Sequence, residues 1–507
     1  MINESNFWVH TISSINIRKM KHKIIKFCLH ITLMVSLVSC AFISETETET
    51  DYTLYPEKLT EISIEGDFPK AIIAINTSTD YSGSESTGPN PLKTAKAISP
   101  LIQANTPPPI QEPAITSPVI KASSQAPLAL TPQLSKSIDP DPETDTFWNE
   151  VTKTTINATK IASNDATVVY IETSAWTGAE NLESNIDFQN KVEQLLTYFQ
   201  NTVSTNATTH LGEFSEITDV DDNGKVVILL LTMEAGLSGF FWNVDLYRNS
   251  MSGAENSNEK EMLYINIDKI SNNDYHHVIA HEYTHLLGAT NRLRVASNFS
   301  NYDVWIEEGL AEGLTPYLSG DNDILIRSLT DLNNIESSIT PRNGEGLIKQ
   351  LASQASWYTY AVSYSFFEYC RLQMNKNADF YKELIEHSTT GTVSDYKVID
   401  TKIKNYNSSS DTNLITNFED ALISYKIANH VKHTSNKYGY KNNTFHETNL
   451  PATFGGPTVS NPSIEPAGSL YFIQGEYSEE SIDSFVPGES GDNIKFFRIT
   501  PTANNSE

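Results

Sequence analysis

The segment His281-Glu282-Tyr283-Thr284-His285 constrains this chain more than any other. Two histidines four residues apart share a face when the backbone is helical, one turn above the other. From that face two imidazole nitrogens can reach one Zn²⁺ at ~2.0–2.1 Å. Glu282, beside the first histidine, can accept a proton from metal-activated water, the role of a general base. The flanks favour a helix. Val278, Ile279, Leu286 and Leu287 supply apolar faces, Asn273 or Asp274 can cap the start, and Gly288 is expected to stop it. His277 extends the histidine row, but it stands ~12 Å from His285 along the axis, so the three cannot share one ion. It is expected next to the site or packed nearby.

Two histidines leave a zinc site incomplete, and the third ligand decides its class. The helix continues as Leu286-Leu287-Gly288-Ala289-Thr290-Asn291. The metzincin pattern needs histidine where Asn291 stands, and an amide is a weak zinc ligand, which excludes that class. Downstream, Asp303, Glu307, Glu308 and Glu312 compete within and beside Val304-Trp305-Ile306-Glu307-Glu308-Gly309-Leu310-Ala311-Glu312. A carboxylate on a second helix facing the first completes a His₂Glu set and leaves the fourth position to water. Glu308 and Glu312 share a helical face, so one can bind the metal while the other orients a histidine. Periodicity does not choose between them.

At 507 residues there is room for two or three domains. Asp and Glu outnumber Lys and Arg by 63 to 35, a net charge of −28, which argues against nucleic acid as a partner because phosphate binding needs a basic footprint. Met20-Lys21-His22-Lys23-Ile24-Ile25-Lys26, the apolar run that follows, and Leu37-Val38-Ser39-Cys40 have the layout of a secretory signal starting at Met20. The run is short for a membrane span. Its ending resembles the lipobox of bacterial lipoproteins, which implies cleavage after residue 39, lipid on Cys40, and a place in the bacterial cell envelope, at the outer membrane or cell surface. Of Cys28, Cys40 and Cys370 the last alone would then remain as a thiol, so no intrachain disulfide is expected, and Cys370 reads as a small core residue.

Residues 41–145 are rich in Thr, Ser, Pro and Glu, as in Glu45-Thr46-Glu47-Thr48-Glu49-Thr50 and Pro107-Pro108-Pro109. Such a segment buries too little to offset its ordering entropy and is expected to be a disordered tether, with a pro-segment as the alternative. Within it Ala71-Ile72-Ile73-Ala74-Ile75 could be a lone strand. Strands are predicted at 167–172, 226–231 and 261–267, an amphipathic helix over 186–204, and mainly helices from 300 to about 433. Short apolar runs beyond that predict a small β-rich tail over 434–507. The predicted fold is therefore α+β. Residues 146–433 would form a mixed α/β N-terminal subdomain and a mainly helical C-terminal one, with the histidine helix at the cleft between them.

His-Glu-x-x-His followed by Trp305-x-x-Glu308-Gly309 resembles the gluzincin clan of zincin-like metallopeptidases. Three further stretches are similar to the hyicolysin family of secreted bacterial metallopeptidases: the Asp219-to-Gly224 turn with its apolar strand, Ser257-Asn258-Glu259-Lys260-Glu261-Met262-Leu263-Tyr264, and Tyr360-Ala361-Val362-Ser363-Tyr364-Ser365-Phe366-Phe367-Glu368-Tyr369. The resemblance covers roughly residues 145–430. It implies Glu308 as third ligand, one catalytic Zn²⁺, Glu282 as base, and hydrolysis of internal peptide bonds in extracellular or periplasmic proteins. It also implies a Tyr or His donor to the tetrahedral oxyanion, for which Tyr360 comes first and Tyr358 and Tyr364 behind it, and strand 261–267 as the sheet edge receiving an extended peptide. The alternative from another class is a surface lipoprotein that keeps the fold but works as an adhesin or binding module. Asp219-x-Asp221-x-Asn223-Gly224 copies the start of a calcium loop, but Leu230 stands where that loop needs its bidentate Glu. An Asx-type turn is therefore favoured there over a Ca²⁺ site.

Overall fold

The computed structural model describes residues 55–79, 85–86, 143–178, 181–234, 237–295, 302–320, 346–348, 357–390, 395–409, 415–432, 436–441, 463–487 and 490–503. The signal-like stretch 20–40, with Cys28 and Cys40, lies outside them. Strands are β1 Leu59–Glu65, β2 Ala71–Asn76, β3 Glu85–Ser86, β4 Thr144–Asn149, β5 Thr154–Ser163, β6 Thr167–Glu172, β7 Val226–Leu231, β8 Gly239–Phe241, β9 Met262–Asn266, β10 Ser463–Ile464, β11 Ser469–Ile473 and β12 Ile494–Thr502. The longer helices are α1 Ile186–Tyr198, α2 His276–Val295, α3 Val304–Ser319, α4 Trp357–Gln373, α5 Asp379–Thr390, α6 Lys397–Ser409 and α7 Phe418–Val431. The α+β class read from the sequence is the observed one.

A six-stranded sheet of order β4-β5-β6-β7-β9-β8 carries the site. β6, β7 and β9 run parallel, and β8 closes the edge antiparallel to β9. The continuous apolar run of β7 is buried along its whole length, as a strand covered on both faces requires. Its residues alternate: Val226, Ile228 and Leu230 join the large core under the helices, while Val227, Leu229 and Leu231 pack with Phe147, Met262 and Tyr264 on the other face. On the helical side, Phe188, Val192, Leu195 and Leu196 of α1 bury the predicted amphipathic face, and the helix then continues through a π-helical stretch, Phe199–Ser204. Cys370 is fully buried in that core, and burial pushes its thiol up, consistent with a packing role. Among the described residues no helix is long and apolar enough to cross a membrane.

Three expectations need correction. The first concerns the edge strand: residues 262–266 lie inside the sheet, between β7 and β8, and the edge beside the site is Gly239–Phe241. Three residues with one aromatic pair gave no period-two signal to find it by. The second concerns Gly288, which does not end α2. The helix runs on to Val295, and Tyr275 rather than Asn273 or Asp274 takes the capping position, its carbonyl accepting from Ile279 N at 2.9 Å. Asn273 instead adopts a left-handed turn (φ 57°).

The third concerns the stretch expected to be a disordered tether. Within 41–145, β1 and β2 form a four-stranded sheet with the tail, in the order β1-β12-β2-β11. Ala71–Asn76 is central there and every residue is buried, antiparallel to Leu470–Ile473 on one side and Ile494–Ile499 on the other. A five-residue apolar run with no local partner cannot be ordered on its own, and its partners lie about four hundred residues away, which is why local composition hid it. One face packs on Ile427 and Val431 of α7, and the other is closed by Ile482 and Phe485.

At the sheet–helix junction the buried His430 ring lies with Nε2 2.8 Å from the Pro69 carbonyl. Burial, helped by Lys432, lowers its pKa from 6.5 to about 4 despite that carbonyl. The folded state therefore prefers neutral imidazole. The resulting stability is fully present above pH 6.5 and is lost as pH falls through 4, up to ~3 kcal/mol from this group. Melting temperatures of wild type and His430→Gln are expected to converge over that window. A wild-type curve parallel to the variant's from pH 7 to 4 would contradict this.

Candidate metal centre

α2 brings its histidines to the cleft because its other faces are committed to the core. Ile279, Ala280, Tyr283, Leu286 and Leu287 are buried, and Thr284 and Thr290 return their hydroxyls to backbone carbonyls one turn earlier. α3 faces it. Trp305 is buried against Phe366, Phe367 and Phe418, which fixes the rotation of that helix. Gly309 explains the Glu-Gly pair of the motif: a Cβ there would lie 2.8 Å from the Phe367 ring, so a side chain would force α3 away from α4 and carry Glu308 with it.

The consequence is a tight set of donor atoms. His281 Nε2 lies 3.2 Å from His285 Nε2 and 3.2 Å from Glu308 Oε2, and His285 Nε2 lies 3.6 Å from the same oxygen. Ligands at ~2.0–2.1 Å from a tetrahedral zinc stand ~3.3 Å apart, so these three atoms fit one such ion without rearrangement. Glu312 does a different job. Its Oε1 lies 3.1 Å from His281 Nδ1, the ring nitrogen turned from the cleft, and 3.3 Å from His277 Nε2. Glu307 faces His285 Nδ1 at 3.9 Å and is itself held by Arg292 Nη1 at 2.9 Å and by the Tyr302 N–H at 3.0 Å. A second donor group, His277, His281 and Glu312, is also close enough for an ion, but His277 and Glu312 do not line the open cleft.

That cleft has a volume of about 390 Å³. His281, Glu282, His285 and Glu308 line one side, and β8 with Phe240 and Phe241 lines another. The charge balance asks for a cation. Burial would raise Glu308, but His285 and His281 outweigh it and hold its carboxyl at about 2. Burial would likewise lower His285, yet Glu308 and Glu307 lift it to about 9. The site thus sets carboxylates against imidazoles at contact distance, a donor set whose charge a dication in the same space would also balance. Glu282 shares the pocket without being one of the three donors. Burial raises its carboxyl, opposed by His281 and His285, and the Phe241 backbone N–H is a hydrogen-bond partner.

Of the residues singled out from sequence, His281, Glu282, His285 and Glu308 meet in one cleft, and Asp303 serves at the start of α3, its carbonyl accepting from Ile306 and Glu307 N–H. Tyr358 and Tyr360 belong to α4, but their side chains lie outside the described residues. Tyr364 is buried near Glu368, Arg371 and Glu312, and is not among the residues lining the cleft. Sequence reasoning missed Arg292 and Tyr302 on the cleft wall. Arg292 was findable, since it follows His285 by seven residues on the same helical face.

The comparisons with known proteins point the same way. The family model described as Peptidase M30 matches residues 149–466, which takes in the whole of this site and the sheet strands β5 to β9. The chain is also 27% identical over 190 residues to the neutral metalloprotease ShpI of Staphylococcus hyicus, covering 34% of this chain and 41% of that protein. The chain thus matches less than half the length of that relative. With the match spanning more than half of its own length, the chain belongs to the Peptidase M30, or hyicolysin, family of metallopeptidases.

Proposed function

We propose that this chain is a zinc-dependent endopeptidase, with His281, His285 and Glu308 as metal ligands and Glu282 as general base. The observation that carries the reading is the 3.2–3.6 Å triangle of His281 Nε2, His285 Nε2 and Glu308 Oε2 beside a buried Glu282. Bound there, zinc supplies Lewis acidity and makes water acidic enough to be deprotonated near neutral pH. Glu282 takes the proton from the attacking water and returns it to the leaving amine. Its raised carboxyl pKa brings the base closer to working pH, so the proton can be both taken and given back. Glu312 and Glu307 keep the Nδ1 edges of His281 and His285 turned away, which leaves the Nε2 lone pairs for the metal. An extended peptide would add to the free edge of β8, with Tyr360 as the first candidate to donate to the oxyanion.

Extracellular or periplasmic proteins are the proposed substrates, and lipid on Cys40 the proposed link to the cell envelope. The strongly acidic composition speaks for a protein rather than a nucleic-acid partner. A binding module on the same fold would have no use for a base, and the buried Glu282 favours the enzyme over it.

The test is casein cleavage by the full chain before and after zinc removal by a chelator. A fragment starting at residue 145 would strip β1 and β2 from their sheet and confound the result. Cleavage is expected to vanish with the metal and return with about one equivalent of zinc. Activity surviving complete removal would sink the proposal, and zinc binding without proteolysis would favour the binding module.

A further inference from the structure

The Asp219-to-Gly224 turn ends at the start of β7, and Glu261 stands immediately before β9, the neighbouring parallel strand. Asp219 accepts from the N–H groups of Asn223 (3.0 Å) and Gly224 (2.9 Å), four and five residues on, and the Asx-type turn expected from the sequence is made by Asn223, whose Oδ1 accepts from the Lys225 N–H at 2.6 Å. The turn does more than reverse the chain. One oxygen from each of Asp219, Asp221 and Glu261 lies within 4.8 Å of the other two. Oxygens on opposite sides of a calcium ion, each at ~2.4 Å, stand ~4.8 Å apart, so the cluster is within the span of one coordination shell.

Acidic clusters are common, and this one is set apart by what is buried in it. Glu261 is 1% exposed. Its Oε1 accepts from the Val220 N–H, but its Oε2 is buried with no hydrogen-bond partner. Asp221 repeats the pattern: Oδ2 is taken by Lys260 Nζ at 3.0 Å and Asn223 Nδ2 at 2.8 Å, whereas Oδ1 is buried and unpartnered. An unpaired carboxylate oxygen out of reach of water is costly. Two of them within one three-carboxylate cluster call for a cation. Burial, and then the charges of Asp221 and Asp219, push the Glu261 carboxyl up to about 7 against the pull of the Val220 N–H.

We propose that Asp219, Asp221 and Glu261 hold a second cation, of calcium type, that ties the starts of β7 and β9 together. The ligand chemistry selects the class. All donors are hard carboxylate oxygens with no imidazole or thiolate, which suits Ca²⁺ rather than zinc. The calcium-loop pattern Asp219-x-Asp221-x-Asn223-Gly224 lacks its terminal Glu at Leu230, and Glu261 supplies that carboxylate from the next strand instead. Sheet register brings it there: Val227 pairs with Met262, and Val227 N donates to the Glu261 carbonyl at 2.8 Å. Because β9 leads directly toward α2, the ion braces the sheet that supports the metal centre while taking no part in its chemistry.

The test uses the full, zinc-loaded chain titrated with CaCl₂ by calorimetry, with melting temperatures measured alongside. Neither readout needs turnover, so the result is independent of the peptidase reading. One calcium per chain is expected, with affinity at or tighter than ~1 mM, the range of extracellular modules. Calcium at ~100 times its dissociation constant should raise the melting temperature by ~5 °C. Asp221→Asn and Glu261→Gln should each weaken binding ~10-fold or more. Asp222→Asn removes the same charge from the same turn but lies outside the cluster, in a left-handed conformation that Asn tolerates, and should bind as wild type does. Asp221 sits on the loop rather than in the core, so its variant still reports if Glu261→Gln fails to fold. No calcium uptake by the wild-type chain at millimolar concentrations would overturn the proposal, as would equal loss in Asp221→Asn and Asp222→Asn.

Discussion

Replacing Glu282 by Gln is expected to lower casein turnover by ~10²–10⁴-fold while the chain keeps its zinc. The substitution preserves volume, and the amide oxygen can still face the Phe241 N–H, so the local fold has no reason to change. What it removes is the ability to take up a proton. Because Glu282 is not one of the three converging donors, metal content should be that of wild type, and the loss should appear in kcat rather than in KM. A Glu282→Gln chain that cleaves casein within a factor of a few of wild type would show that another group is the base.

The second large effect separates two glutamates that the sequence leaves open. Glu308→Gln takes away one of three donors and is expected to abolish both tight zinc binding and activity. Glu312→Gln leaves the donor triangle intact and loosens the 3.1 Å support of His281 Nδ1, so zinc affinity should fall only ~10–100-fold and excess zinc should rescue activity. Equilibrium zinc competition on both variants checks this. The reverse order, with Glu312→Gln losing zinc and Glu308→Gln only weakening it, would mean that His277, His281 and Glu312 form the metal set, and equal losses would contradict the assignment of Glu308 alone as third ligand.

How far the sequence could be read depended on the range of the information. α2 and its chemistry lie within five consecutive residues, so helical spacing was enough to bring His281, Glu282 and His285 together. Periodicity leaves Glu308 and Glu312 open, and only the family resemblance favours Glu308. That Glu308 lies against both Nε2 atoms follows from the rotation of α3, which is set by Trp305 and by the contact of Gly309 with Phe367 on another helix. No periodicity within α3 contains that contact. The same holds for the edge strand: β9 has the hydrophobicity of a strand, and only the fold reveals that the short Gly239–Phe241 segment covers it. The strand Ala71–Asn76 is the extreme case. Its apolar run was visible, but its partners β11 and β12 lie at the other end of the chain, and composition averaged over the surrounding Thr- and Pro-rich stretch pointed to disorder. The turn at 219–224 was read correctly as a turn, while its carboxylate neighbour Glu261 could be supplied only by strand register.

One zinc ion is proposed to sit among His281, His285 and Glu308. Anomalous diffraction at the zinc edge on crystals of the zinc-loaded chain tests it most directly. A single strong peak is expected ~2.0–2.1 Å from His281 Nε2, His285 Nε2 and a Glu308 carboxylate oxygen. A peak between His277, His281 Nδ1 and Glu312, or no ordered peak in the cleft, would contradict it.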